Sequence, residues 1–296
     1  VDMFDAIADG RIKAVWIACT NPVHSMPDIG RVRKALDKAE FVVVQEAFVQ
    51  TDTVPYADVL LPATTWGEKS GTVTNSERRI SRVQAALDAP GEARADWWIA
   101  AEVARRLEGR LAGRGQHQEG KPADIASDSK LFPYSSPEAI FDEHRALTIG
   151  RDLDIGGLSY ALLENEGPKQ WPFVAGADEG AARRYTDGVF ATADGRAQFH
   201  PTPYLGVAEP TDARYPLRLV TGRLRDQWHG MSRSGRADAL FAHAPEATVV
   251  MQRGDATRRG LKDGDLVAVA SRRGKVVLPL ETSDDLRSGT LFTAMH

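Results

Sequence analysis

Apolar and polar positions along the first 90 residues switch between two periods. The run Ile12-Lys-Ala-Val-Trp-Ile-Ala-Cys19 is apolar and of strand length, and Thr20-Asn21-Pro22 breaks it. Residues 28–39 carry Ile29, Val32 and Leu36 at spacings of three and four, which predicts a helix with one apolar face. Glu40-Phe-Val-Val-Val-Gln45 is a second strand, continuous enough to be buried on both sides. Ala57-Asp-Val-Leu-Leu-Pro62 is a third. Strand, helix, strand at this spacing predicts a βαβ unit and a parallel sheet. Residues 63–90 are polar, with a short strand over 71–75. A helix is predicted over 95–107, with Trp98, Val103 and Leu107 near one face and Asp96 in its first turn.

The pattern then loosens. Residues 109–130, rich in Gly, Lys, Gln and Asp, read as a loop or linker. Ser135-Ser-Pro-Glu138 is a capping-box pattern before a short helix ending at Leu147. Residues 150–185 read as irregular, and 190–199 as a hairpin turning at Asp194-Gly195. From Tyr215 the texture is all-β: strands at 217–221, 248–252, 265–271, 276–281 and 290–294, a turn at Arg273-Gly274, and one short helix at 255–259 closed by Gly260. Several short strands with one short helix suggest a small barrel. The predicted fold class is α/β and β: a Rossmann-like parallel-sheet half-domain over 1–108, an irregular connection over 109–213 and a β-barrel domain over 214–296.

Composition narrows the classes. The chain has 296 residues, 42% hydrophobic and 26% charged, with 37 Lys+Arg against 41 Asp+Glu for a net charge of −4. That is an ordinary globular protein of about two domains. A pI near 6.0 with mixed charge argues against a general nucleic-acid binder. No apolar run approaches the ~20 residues of a membrane helix. Cys19 is the single cysteine, which excludes an internal disulfide framework, a Cys₄ zinc site and a self-contained four-cysteine iron–sulfur cluster. Cys19 fits a small apolar packing role. A start at Val1 without Met or leader, and an end just past a β-like run, lead us to expect a piece of a longer protein, cut at both ends.

Four clusters could carry chemistry. Thr20-Asn21-Pro22 ends the first strand, at the edge where open α/β sheets bind ligands, and could hold phosphate or sugar; spacing alone favours a plain turn. Gln45-Glu46 ends the next strand, where an acid can hold a ribose or accept the paired donors of a guanine edge, or be simply solvated. In Trp66-Gly-Glu-Lys69 and Gly71-Thr-Val-Thr-Asn-Ser-Glu-Arg78-Arg79, two glycines allow close backbone approach and Lys69, Arg78 and Arg79 could neutralise an anion; the plain alternative is a charged surface loop. The fourth, Thr221-Gly222-Arg223-Leu224-Arg225-Asp226-Gln227-Trp228-His229-Gly230, follows a strand with a mixture that core filling does not require. His24, His117, His144 and His200 lack metal-ligand spacing, and Asp152 and Asp154 read as solvated. No Walker loop or G-x-S-x-G elbow is present.

In this order, Cys-Thr-Asn-Pro, the strand ending in Gln-Glu, Ala57-Asp-Val-Leu-Leu-Pro-Ala, Trp-Gly-Glu-Lys, Asn-Ser-Glu-Arg-Arg and Pro90-Gly-Glu-Ala-Arg-Ala-Asp-Trp97 resemble the molybdopterin oxidoreductase family of the dimethyl sulfoxide reductase type. The last 80 or so residues resemble its dinucleotide-binding domain, a double-psi-like barrel, here expected to lack its C-terminal end. Asp226-Gln-Trp-His-Gly-Met-Ser-Arg-Ser-Gly235 is most similar to assimilatory nitrate reductases, whose usual wording has Thr where this chain has Gly230 and Ser232.

The resemblance implies molybdenum bis(molybdopterin guanine dinucleotide) as cofactor, with a [4Fe–4S] cluster and the molybdenum-ligating cysteine in a missing N-terminal part. It implies nitrate as substrate and a ferredoxin, flavodoxin or NADH-dependent reductase subunit as electron donor, in the cytoplasm, with no nucleic-acid or membrane partner. Asn21 would contact guanosine or phosphate of one dinucleotide, Gln45 and Glu46 its guanosine, with Glu46 where relatives usually have Asp. Lys69 and Asp96 match cofactor-contacting positions, Asp96 suited to guanine donors. Residues 221–230 would wrap the other dinucleotide, His229 touching the pterin. No catalytic acid, base or metal ligand is expected in this chain. Rival readings are a formate dehydrogenase of the same family and a non-catalytic nucleotide-binding module.

Overall fold

The computed structural model describes residues 2–111 and 129–296, which form two compact units. One comprises Val1–Val44, Phe48–Val59 and Thr202–His296; the other comprises Gln45–Ala47 and Leu60–Pro201. His117 and most of the segment read as a linker lie outside the described residues.

The predicted βαβ pattern is present. Strands β1 (Ala14–Ala18), β2 (Phe41–Glu46) and β3 (Val59–Pro62) form a parallel sheet in the order β1-β2-β3. The middle strand β2 buries Val42, Val44 and Gln45, as its continuous apolar run requires. β1 is an edge strand: Ile17 is buried while Trp16 is 40% exposed. Helix α1 (Asp2–Ala8) precedes β1, buries Phe4, Ala6 and Ile7, and was not predicted. After β1 come a single turn, α2 (Pro22–Ser25), and α3 (Ile29–Lys38), whose buried face is Val32, Ala35 and Leu36.

The C-terminal part of the unit that contains Val1–Val44 is a curled five-stranded half-barrel, ordered β7-β11-β8-β10-β9. Its strands are β7 (Arg218–Gly222), β8 (Val249–Gln252), β9 (Leu266–Ala270), β10 (Lys275–Ser283) and β11 (Thr290–Ala294). β11 runs parallel to β7 and antiparallel to β8, while β10 runs parallel to β8 and antiparallel to β9. A one-turn helix, α7 (Asp238–Phe241), precedes β8. Val249, Met251, Ala256, Leu280 and Leu291 form the core, Ala256 coming from α8 (Arg253–Arg258). Buried Asp255 on α8 ties this core to the turn before β11: its carboxylate accepts from Gly289 N at 2.6 Å and Ser288 Oγ at 2.8 Å.

The second unit packs β4 (Gly71–Thr74), β5 (Arg79–Val83) and β6 (Lys169–Gln170), an antiparallel sheet, with helices α4 (Asp96–Leu111), α5 (Pro137–Thr148) and α6 (Tyr160–Glu166). Ile80, Phe141, Ile155, Leu158, Tyr160, Leu163 and Phe173 form its core. α5 follows the predicted Ser-rich start but is capped one residue later than the capping-box pattern implies, by Ser136, whose Oγ accepts from Ala139 N at 3.2 Å.

Several expectations are corrected. α4 buries Ile99, Ala101 and Arg105, whereas Trp98 and Leu107 are exposed. Buried Arg105 is tolerated because it donates to the carbonyls of Phe132 and Tyr134 and to Glu102. Helix α6 lies inside the supposedly irregular stretch, N-capped by Ser159, whose Oγ accepts from Leu162 N at 3.1 Å. Residues 190–199 form a turn without strands: Asp194 draws Thr192 Oγ1 and Arg196 N onto its own carboxylate, a local alternative to a ladder. Asp154 is buried, accepting from Gly150 N at 2.8 Å and Gly156 N at 2.7 Å. Cys19 is exposed, not packed, at a left-handed φ of 58°.

Asp255→Ala should therefore cost about 2–3 kcal/mol, the scale of hydrogen bonds to a buried charge. Gly289 N and then Ser288 hold this carboxyl below its ordinary range, so its contribution is present above the unfolded carboxylate pKa and lost as pH falls through the depressed folded value. Urea unfolding at neutral and acid pH checks this; an unchanged midpoint at neutral pH would contradict it.

Candidate functional site

The carboxyl end of β2 presents Gln45 and Glu46 on opposite faces, because side chains alternate along a strand. Gln45 turns inward and is 5% exposed. Its Nε2 donates to Asp96 Oδ1 at 2.8 Å, and Lys69 Nζ donates to Asp96 Oδ2 at 2.9 Å. Asp96 opens α4, where the helix N-terminus favours a negative charge. Lys69 follows a single 3-10 turn, Trp66–Glu68, fixed by the capping box of Thr65 and Glu68. Its ammonium also lies 5.3 Å from the Trp66 ring centroid. Partial burial works against ionising Asp96, but the bonds from Lys69 and Gln45 outweigh it and hold the carboxyl below its ordinary range. Three residues from separate sequence clusters thus meet at one carboxylate. Glu46 is not joined to this trio by the bonds just described; its Oε1 accepts from Ala47 N at 2.8 Å.

Beside the pair lies a cavity of about 360 Å³, whose walls include Trp66, Lys69, Asp96, Trp97, Phe141 and Tyr160. The Tyr160 hydroxyl is buried without a hydrogen-bond partner. Burial pushes its pKa up. Aromatic walls and an ion pair suit a flat, polar-edged ligand. The expectation that Arg78 neutralises an anion is not met. Arg78 donates to the carbonyls of Trp171, Ala181 and Ala182, and Arg79 pairs with Glu77. Arg78 is a brace for the 171–182 segment.

In the other unit, Asn21 ends β1's exit turn with its amide engaged. Its Nδ2 donates to Asp52 Oδ2 at 3.2 Å and its Oδ1 accepts from Thr53 Oγ1 at 2.6 Å. The segment 221–230 leaves β7, and its residues divide into two groups. Asp226, Gln227 and Leu224 shape the loop. Asp226 accepts from Arg225 and pairs with His243; these partners, Arg225 first, lower its pKa. Gln227 is buried and accepts from Ser234 Oγ at 2.8 Å. Leu224 N donates to His296 Nε2, and His296 Nδ1 lies 2.8 Å from His229 O. That pair of bonds fixes the His296 tautomer with its proton on Nδ1. Thr221, Arg223, Arg225, Trp228 and His229 are exposed, with Arg223 stacked 4.2 Å from the Trp228 ring centroid. Gly222 makes a close approach, but to Phe292: a Cβ there would sit 3.0 Å from its ring. Sequence reasoning missed Asp52, Thr53, Ser234, His243 and His296, whose partners lie far along the chain and leave no local pattern.

Comparison with known proteins gives this geometry its context. Residues 1–106 match the model of a family described as Molybdopterin oxidoreductase, and residues 217–296 match that of the Molydopterin dinucleotide binding domain. The chain thus carries a Molybdopterin oxidoreductase domain and a Molydopterin dinucleotide binding domain. It is 41% identical over its whole length to a nitrate reductase of Klebsiella oxytoca, covering 32% of that protein. It is 34% identical, over 96% of its length, to the F420-dependent formate dehydrogenase subunit alpha of Methanocaldococcus jannaschii, covering 38% of it. Among solved structures, acetylene hydratase from Pelobacter acetylenicus shares the fold: TM-score 0.67, 18% identity, 99% of this chain and 38% of that one. The chain therefore spans about a third of the length of the relatives it matches. No helix among the described residues is long and apolar enough to cross a membrane.

Lys69→Met should raise the Asp96 carboxyl pKa, because burial then acts with less to oppose it. An NMR titration of the Asp96 side chain checks this; an unmoved titration would show that the ion pair does not hold the charge.

Proposed function

We propose that the whole protein is a molybdenum-dependent nitrate reductase, converting nitrate to nitrite with two electrons, and that this chain supplies much of its grip on molybdenum bis(molybdopterin guanine dinucleotide). The observation that carries this reading is the joining of Gln45, Lys69 and Asp96 at one carboxylate beside an aromatic cavity, in a chain that carries a Molybdopterin oxidoreductase domain. Similarity to the Klebsiella oxytoca enzyme over the whole chain favours nitrate. The formate dehydrogenase relative supports the second reading, formate oxidation.

The residues present fit such a group. A carboxylate has about four acceptor directions. Asp96 uses one on each oxygen in the bonds described, leaving acceptors for the paired donors of guanine. Trp66 and Trp97 offer flat walls. Glu46 adds a further carboxylate to this set for one dinucleotide, and Asn21 is by its motif a separate cofactor contact. Exposed Thr221, Arg223, Arg225, Trp228 and His229 would hold the other, the two arginines offsetting phosphate charge. When bound, the cofactor supplies the two-electron chemistry at its metal. The chain's residues bind, orient and tune it; none acts as catalytic acid, base or metal ligand. In this reading residues 1–108 and 214–296 are the two cofactor-binding domains, joined by 109–213, and the protein works in the cytoplasm. Electrons come from a ferredoxin, flavodoxin or NADH-dependent partner, and a [4Fe–4S] cluster sits elsewhere in the whole protein.

Assays of the intact protein with reduced viologen and nitrate, and with formate and an oxidised dye, test the substrate. Nitrate reduction without formate oxidation is expected; the reverse would overturn the reading. Arg223→Ala should weaken cofactor binding about 10-fold or more, the scale of one charge-assisted hydrogen bond of about 1.5–3 kcal/mol. Guanine and molybdenum content per protein, measured against unsubstituted protein, would show it.

A further inference from the structure

Residues 229–231 adopt an uncommon backbone. His229 and Met231 have φ of 48° and 61°, the left-handed region that side chains other than glycine rarely occupy. Such conformations persist only where their surroundings over-determine them. From one side, His296 holds the His229 carbonyl at 2.8 Å. The other side meets Gly230, and what lies against it is His24 on α2. A Cβ built on Gly230 would stand 3.0 Å from His24 Cδ2 and 3.1 Å from Nε2. The imidazole thus rests edge-on against a bare Cα. Its Nε2 is buried and has no hydrogen-bond partner, so this edge is held by shape and not by a bond. The opposite edge faces Asp52, with Nδ1 3.7 Å from Oδ2, and Asp52 also binds the Asn21 side chain. His24 N in turn donates to Asn21 O at 3.0 Å.

We propose that His24 is a positioning residue for the dinucleotide site: seated by Asp52 on the Asn21 turn, its ring props the backbone between left-handed His229 and Met231 through the bare Cα of Gly230. The inference rests on the reading that 221–230 holds cofactor. It gives Gly230 a reason to lack a side chain and couples the two candidate cofactor loops of this unit. His24 itself need not touch the cofactor.

The test uses the intact protein, purified with and without cofactor. Hydrogen exchange of a peptide spanning 229–232 reads the backbone directly and needs no cofactor. His24→Ala should speed exchange there about 10-fold while peptides from β1 and β2 stay unchanged. Gly230→Ala, whose methyl would crowd the ring, should do the same, and the double variant should be no worse than either single one, because with His24 gone the methyl has no ring to displace. Effects that multiply to about 100-fold would show separate actions and overturn the proposal. So would unchanged exchange in His24→Ala. His24→Phe keeps a ring without nitrogens and should restore exchange to within about 3-fold of the unsubstituted protein; a loss equal to that of His24→Ala would mean that a nitrogen does the holding, against the proposal. Guanine content separates the layers. If Arg223→Ala depletes cofactor and His24→Ala does not, the positioning role fails and the cofactor reading stands. If Arg223→Ala also retains full cofactor, the reading of 221–230 fails, whatever the exchange shows.

Discussion

A single carboxylate organises one side of this chain's chemistry. Asp96 is partly buried at the first turn of α4, where its charge would be costly if left alone. Gln45 reaches it from the end of β2 and Lys69 from the turn after Trp66–Glu68, one to each oxygen. The end of a strand, a capped turn and the start of a helix are thereby fixed to one another. Such second-contact support is what holds a binding group to the tolerance that recognition needs. The aromatic cavity beside it takes part of its wall from two of these elements, the turn with Trp66 and Lys69 and the start of α4, and the rest from β4, β5, α5 and Tyr160.

The other unit reaches a comparable end by different means. Its candidate segment hangs between β7 and Ser234, and its order comes from backbone and loop contacts: His296 on Leu224 and His229, Ser234 on Gln227 and Trp228, and His24 against Gly230. Three of these supports fall on residues distant in sequence. The side chains of Thr221, Arg223, Trp228 and His229 are left facing outward. The division between supporting and presented groups is what one expects where a large anionic ligand must be wrapped and little acid–base chemistry is needed.

Much of the fold was legible because periodicity tracks burial. β2, β11 and α3 lie within one or two residues of their predicted spans, each with a strong apolar pattern and clear stop signals. Failures came where polar groups do structural work. Arg105 occupies a buried position on α4 that no apolar count would assign, and Asp154 organises a turn that its charge made look solvated. Arg78 looked like an anion receptor and is a brace. Within the candidate site, the motif order identified Gln45, Lys69 and Asp96, but only the fold shows that they meet. His24 was passed over because it was weighed as a metal ligand, and its meaning lies in a glycine some 200 residues away.

The central claim is that the Asp96 carboxylate, already seated by Gln45 and Lys69, reads the guanine of a bound dinucleotide. A structure of the cofactor-loaded intact protein, at a resolution that shows base edges, tests it most directly. The account expects guanine donors within hydrogen-bond distance of Asp96, with the Lys69 contact kept and the base against the Trp66 or Trp97 wall. Guanine bound elsewhere, with Asp96 contacting only Gln45 and Lys69, would contradict it.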